Sequence, residues 1–186
     1  MKICQLCYLM ALSFIATSIY AKTNQFYSPN KKLKIESICH TKNKCSYYSV
    51  INKKKKLIID DISPDRVSIT WLDNTVHLRV SLGTYVSSSH FIDGYHTPQI
   101  IDDVFALDAK SQCVVSADDA GIYFYKLFDK KNPKKVISAS DKHYHFMEVA
   151  TLLSIVEGKF SGNQFTLTYM DNNENEVSKV LDNPCQ

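Results

Sequence analysis

Apolar and polar positions alternate in short runs along most of this chain, and turn-forming residues separate the runs. A period of two puts successive side chains on opposite faces of an extended backbone, so these runs read as β-strands. The predicted strands are 33–39, 46–51, 56–60, 66–72, 75–82, 86–92, 104–107, 113–116, 122–128, 135–139, 165–170 and 177–181. Short strands at close intervals predict a mainly β domain of antiparallel strands and hairpins, built as a sandwich or as propeller-like sheets. One segment departs from this period. Phe146, Val149, Ala150, Leu153 and Val156 recur at helical spacing and Gly158 follows as a stop, which predicts one short helix over 145–156.

The pattern is sharpest over 67–80. With Asp73 and Asn74 as the turn, Trp71 faces Val76, Ile69 faces Leu78 and Val67 faces Val80, all on one side. Ser68 with Arg79 and Thr70 with His77 fall on the other side, predicted to be wet. A slip of one residue would mix the two sets, so the sequence fixes this register. The stretch 68–74 is matched in kind by 166–172, which two hairpins of similar chemistry explain without duplication. Ser63-Pro64-Asp65, ahead of an alternating strand, has the look of the start of a propeller blade.

One run is different again. From Ile3 to Ala21 no residue is charged, and Lys2 precedes it. A basic start, a short apolar stretch and small or polar residues before Lys22 form a signal peptide over 1–21, with Ser18 as a second possible cleavage point. A retained anchor is the rival reading, since about 20 apolar residues can cross a bilayer. No later run approaches that length, so no membrane span is expected after cleavage. Residues 22–32 then read as a polar lead-in, and 33–186 as a single disulfide-stapled β domain in the periplasm or secreted.

Charge narrows the partners. The whole chain carries a formal net charge of +3, without the concentrated basic face that nucleic acid needs. Its longest unbroken basic run, Lys53–Lys56, lies between two predicted strands and reads as a solvated hairpin tip. Four cysteines follow the leader: Cys39, Cys45, Cys113 and Cys185. Four allow three pairings. The polar loop between Cys39 and Cys45 favours a hairpin bridge there, which leaves Cys113 with Cys185. The spacing has no paired C-x-x-C, and an oxidising compartment favours bridges over zinc.

Catalytic signatures are missing: the sequence has no G-x-S-x-G, P-loop, H-E-x-x-H or glycine-rich dinucleotide fingerprint. The acidic pairs 60–61, 102–103 and 118–119 are adjacent residues, which a strand sends to opposite faces. His143 and His145 would share a face if extended, and His90 and His96 could join them around a metal, but nothing in the sequence unites the pairs. The segment 83–98 mixes tyrosine, serine, histidine and glycine, a composition suited to adaptable protein contacts. Its candidate partner-binding residues are Tyr85, Ser87, Ser88, His90, Tyr95 and His96. The strand around Tyr123 and Tyr125 is apolar on both faces and reads as a buried central strand. The expectation is an exported, non-enzymatic protein-binding domain without cofactor or metal, an inhibitor or immunity-type factor directed at a toxin or cell-wall hydrolase. The alternative is a secreted hydrolase or metal-dependent enzyme using His90, His96, His143 and His145.

Overall fold

The computed structural model of the protein describes residues 21–129, 133–148 and 151–186. The signal peptide read over 1–21 lies, but for Ala21, outside the described residues. The remainder folds into four antiparallel sheets, each a simple up-and-down meander made from consecutive strands. Sheet I holds β1 (Lys22–Tyr27), β2 (Leu33–Thr41), β3 (Lys44–Ile51) and β4 (Lys54–Ile62). Sheet II holds β5 (Val67–Leu72), β6 (Thr75–Ser81), β7 (Ser87–Ile92) and β8 (Gln99–Asp102). Sheet III holds β9 (Val104–Asp108), β10 (Cys113–Asp118), β11 (Gly121–Lys126) and β12 (Lys135–Ser138). Sheet IV holds three strands, β13 (Val156–Ser161), β14 (Gln164–Met170) and β15 (Glu176–Asp182).

Each sheet packs on the next. Leu33, Ile35 and Tyr47 of sheet I meet Val76, Leu78 and Val80 of sheet II. Phe91 and Ile101 of sheet II meet Val104, Val114 and Leu127 from the third meander. Val115, Ile122 and Phe124 of sheet III meet Phe165, Leu167 and Tyr169 of sheet IV. Sheets II and III are therefore covered on both faces, which explains the buried runs Thr75–Leu78 and Cys113–Ala117. The mainly β domain of antiparallel strands and hairpins is as predicted, with successive meanders sharing cores.

The predicted strands all form, within a residue or two at most ends. The hairpin register is as read: Val67 pairs with Val80, Ile69 with Leu78 and Trp71 with Val76. Asp73 takes the positive φ of 56° that its turn requires. The lysine run also sits as read. Asn52 and Lys53 both have positive φ, as a two-residue hairpin turn demands, and Lys53–Lys56 are exposed. Lys55 then pairs with Glu36 at 2.9 Å and lies 4.2 Å above the Tyr48 ring. The two similar stretches end hairpins but occupy different places: 68–72 lies in the first strand of its sheet and 166–170 in the second. Two like turns explain them.

Several features depart from the sequence reading. The polar lead-in contains β1, whose residues pair with β2 from Lys22↔Cys39 to Tyr27↔Lys34. The predicted helix over 145–156 shrinks to α1 (Leu152–Ile155), and Val156 already belongs to β13. His145 has a positive φ of 50°, and Phe146 bridges to Asp171, so the apolar spacing there serves loop packing; Val149 and Ala150 lie outside the described residues. Gly158 is no helix stop. It lies mid-strand because an added Cβ would sit 2.4 Å from Phe165 Cζ and 2.9 Å from Phe105 Cε2.

Both predicted disulfides form, Cys39–Cys45 and Cys113–Cys185. The first joins directly opposed residues of β2 and β3. The second ties the chain end beyond β15 to the start of β10, coupling sheet IV to sheet III. Among the described residues, no helix is long and apolar enough to cross a membrane.

Candidate functional site

Strand β7 organises the region singled out in the sequence. Held between β6 and β8, it buries Ser87, Ser89 and Phe91 on the face towards sheet III and turns Ser88 and His90, both half-buried, to the other. The alternation expected for this strand is therefore present, but with most of its residues inside. The exposed side chains belong to the loops at its two ends. At the β6–β7 end, Leu82 (53%), Tyr85 (60%) and Val86 (52%) stand in solvent. At the β7–β8 end, Tyr95 is 69% exposed. Tyr85 and Tyr95 are thus separated by the length of a six-residue strand, about 20 Å. The candidates form two patches.

The loop at the Tyr95 end is held from within. Asp93 accepts hydrogen bonds from the backbone N–H groups of Tyr95 and His96, both at 2.9 Å, and pairs with His96 Nδ1 at 2.6 Å. Burial raises the Asp93 carboxyl, but these donors outweigh it and hold the group below the ordinary aspartate value. His96 also stacks on Phe128 with ring centroids 5.0 Å apart. Gly94, at φ +86°, makes the turn.

The loop at the Tyr85 end leaves its apolar side chains free. It closes when Leu82 N–H donates to Val86 O at 2.8 Å, and Ser81 donates its hydroxyl to Gly83 O at 3.2 Å. Beside it lies an open cleft of about 270 Å³ whose lining includes Arg66, Ser68, Arg79, Ser81, Tyr85 and Ser87.

One element was not foreseen. His77, assigned to a wet face, is only 7% exposed because sheet III covers that face of sheet II. Its ring stacks on Phe91 at 4.7 Å, Nε2 lies 3.0 Å from Ser89 Oγ, and Nδ1 lies 3.5 Å from Thr70 Oγ1. Burial, with Arg79 and His90 nearby, lowers its pKa to about 4. A serine beside a neutral histidine has the outline of a nucleophile and base. Here Ser89 is wholly buried, and threonine stands where a carboxylate would orient the ring. The pair is core structure.

The other histidines stay apart. His90 faces the sheet I side of β7, where burial lowers its pKa against the opposing pull of Asp102. His143 and His145 are exposed in a turn, not extended as the shared-face reading required. Among the described residues, no three His, Cys, Asp or Glu side chains group so as to hold a metal ion. Tyr123 and Tyr125 are half-buried on one face of β11, while Ile122 and Phe124 fill the core on the other.

His77 makes the fold pH-sensitive. The unfolded chain protonates this ring near 6.5 and the folded chain only near 4, so the unfolded state binds more protons between those values. The stability it contributes is complete above about pH 6.5 and is lost as pH falls towards 4. The loss is on the order of 2–3 kcal/mol. Urea midpoints measured from pH 7 to pH 4 should fall accordingly, and His77→Gln should flatten that dependence. An unchanged slope in the variant would assign the acid sensitivity to other groups.

Compared with protein-family models, curated proteins and solved structures, the chain matches none of them.

Proposed function

We propose that this chain is an exported, non-enzymatic binding domain that acts on another protein through its Leu82–Val86 loop, as an inhibitor or immunity-type factor against a toxin or cell-wall hydrolase. The observation that carries this reading is the neighbouring exposure of Leu82, Tyr85 and Val86 on a short closed loop. Large apolar side chains offered together by a loop supply contact area at low ordering cost, and tyrosine and arginine dominate binding hot spots. Arg66 and Arg79 flank the loop in its adjoining cleft. The apolar leader and two disulfides are in keeping with export.

A photo-reactive residue placed at position 85 should give one discrete cross-linked protein in an envelope or secreted extract, with none from the same residue at exposed position 26. The captured protein, once purified, should bind Tyr85→Ala at least about tenfold more weakly than the unaltered chain. Equal affinity for Tyr85→Ala would remove this surface. Loss through Tyr95→Ala alone would move the site to the opposite end of sheet II.

A further inference from the structure

The sequence uses lysine for nearly all of its positive charge; Arg66 and Arg79 are its only arginines. Both line the cleft beside the Leu82–Val86 loop. We infer that this cleft is an oxyanion-binding site that takes a phosphate or carboxylate group between the two guanidinium groups and the Ser87 hydroxyl. The inference is independent of whether the neighbouring loop contacts a protein.

The register brings these groups together. Arg79 pairs across with Ser68 on β5 and with Ser89 on β7, while Ser81 pairs with Ser87. Side chains of one alternation set share a face, so Ser68, Arg79, Ser81 and Ser87 point to the same side of sheet II. Arg66 enters from the short 3-10 turn Pro64–Arg66 that leads into β5. Neither guanidinium belongs to an ion pair among the described residues. Asp65 also lines the cleft; its carboxylate accepts the Ser63 hydroxyl and its own backbone N–H and feels the Arg66 charge without pairing with it.

Ser87 supplies the second, independent observation. It is 3% exposed, the one buried residue of the lining among the described residues, and its hydroxyl has no hydrogen-bond partner among them. Its backbone is satisfied, since its N–H donates to Asp103 Oδ1 at 2.8 Å and its carbonyl accepts from Asp103 N–H at 2.8 Å. A buried hydroxyl without a partner destabilises the fold and calls for an explanation. An oxyanion is a suitable one: the hydroxyl oxygen is shut off from solvent as it stands, but a turn about Cα–Cβ lets it donate to an oxygen that the arginines' planar forks hold in the cleft. The cleft's volume suits one small charged group rather than an extended ligand.

The test titrates inorganic phosphate, and separately acetate, into the intact protein at low ionic strength, with chloride as the matched control. Saturable amide shifts at Ser87 and Arg79 are expected with at least one of the two anions and not with chloride. Tighter phosphate binding would name a phosphoryl or free phosphate ligand; tighter acetate binding would name a carboxylate. Arg79→Gln should weaken the binding about tenfold, and Arg66→Gln serves the same purpose should that variant not fold. Ser87→Ala should raise the melting temperature of the free protein while weakening the anion, a pairing that a purely structural serine would not give. Linear, chloride-like shifts, or saturation unchanged by Arg79→Gln and Ser87→Ala, would overturn the assignment.

Discussion

Replacing Cys113 and Cys185 together by alanine is expected to destabilise the protein by about 4 kcal/mol, twice the loss expected from the same change at Cys39 and Cys45. The two bridges differ chiefly in the loop they close, with sequence separations of 72 and 6. Loop-closure entropy in the unfolded chain grows with the logarithm of that length, giving about 4 and about 2 kcal/mol. The native contacts reinforce the difference. Cys185 lies under a local network in which Lys126 Nζ donates to its carbonyl at 2.8 Å, and its own N–H donates to Asn183 Oδ1 at 3.0 Å. Asn183 Nδ2 in turn reaches Ser111 Oγ at 2.9 Å. Freed of its bridge, the last segment frays from sheet III and exposes this set. The Cys39–Cys45 pair instead sits across a hairpin already held by the β2–β3 ladder. Urea unfolding of the two double variants measures both losses, and equal losses would show that the long loop is constrained by something other than sulfur.

Legibility in the sequence followed burial. Where one face is apolar and the other polar, the alternation reports the strand and its register together, as Val67–Val80 shows down to each opposed pair. Where a strand has neither face in a core, the signal fades: β1 is almost wholly exposed, so Lys22–Tyr27 carried no apolar pattern. Strand β8 has only four residues, one of them buried, too few to set up an alternating pattern. Strand β13 was hidden in the opposite way. Phe146, Leu153 and Val156 are all packed in one core, but from a bridge, a single helical turn and a strand, so helical spacing arose from three unrelated local structures.

The candidate site was legible in its loops and not in its sheet. Tyr85 and Tyr95 are exposed because they sit in turns, which composition announces. Their separation depends on β7 lying straight between them, and the burial of His77 depends on sheet III covering the Thr70–His77 face. Neither follows from any local pattern, since both are set by how one meander stacks on the next. Polar residues on a strand face mean water only when nothing else arrives there. A serine run such as Ser87–Ser89, which could have suggested an interior polar layer, is equally the composition of an exposed edge.

The largest loss from a single side chain should come at Phe165. Its ring is fully buried in β14, crosses Phe124 edge-on at 5.1 Å and lies 4.7 Å from Phe160. Phe165→Ala should cost about 3–5 kcal/mol, since the truncated side chain leaves both lost contacts and a cavity. Gly158 on the paired strand β13 sharpens the expectation. The Phe165 ring occupies the space a Cβ at 158 would need, coming within 2.4 Å of it. Gly158→Ala alone should therefore destabilise by about 1–3 kcal/mol through overpacking. In the Phe165→Ala background the two closest contacts are gone, and the same methyl enters the vacated space with only the approach to Phe105 Cε2 at 2.9 Å left to relax. The two losses should then fall short of additive by about 1 kcal/mol or more, as coupled neighbours do. A double-mutant cycle in urea reads this directly. Strict additivity would mean that the ring does not lie over Gly158.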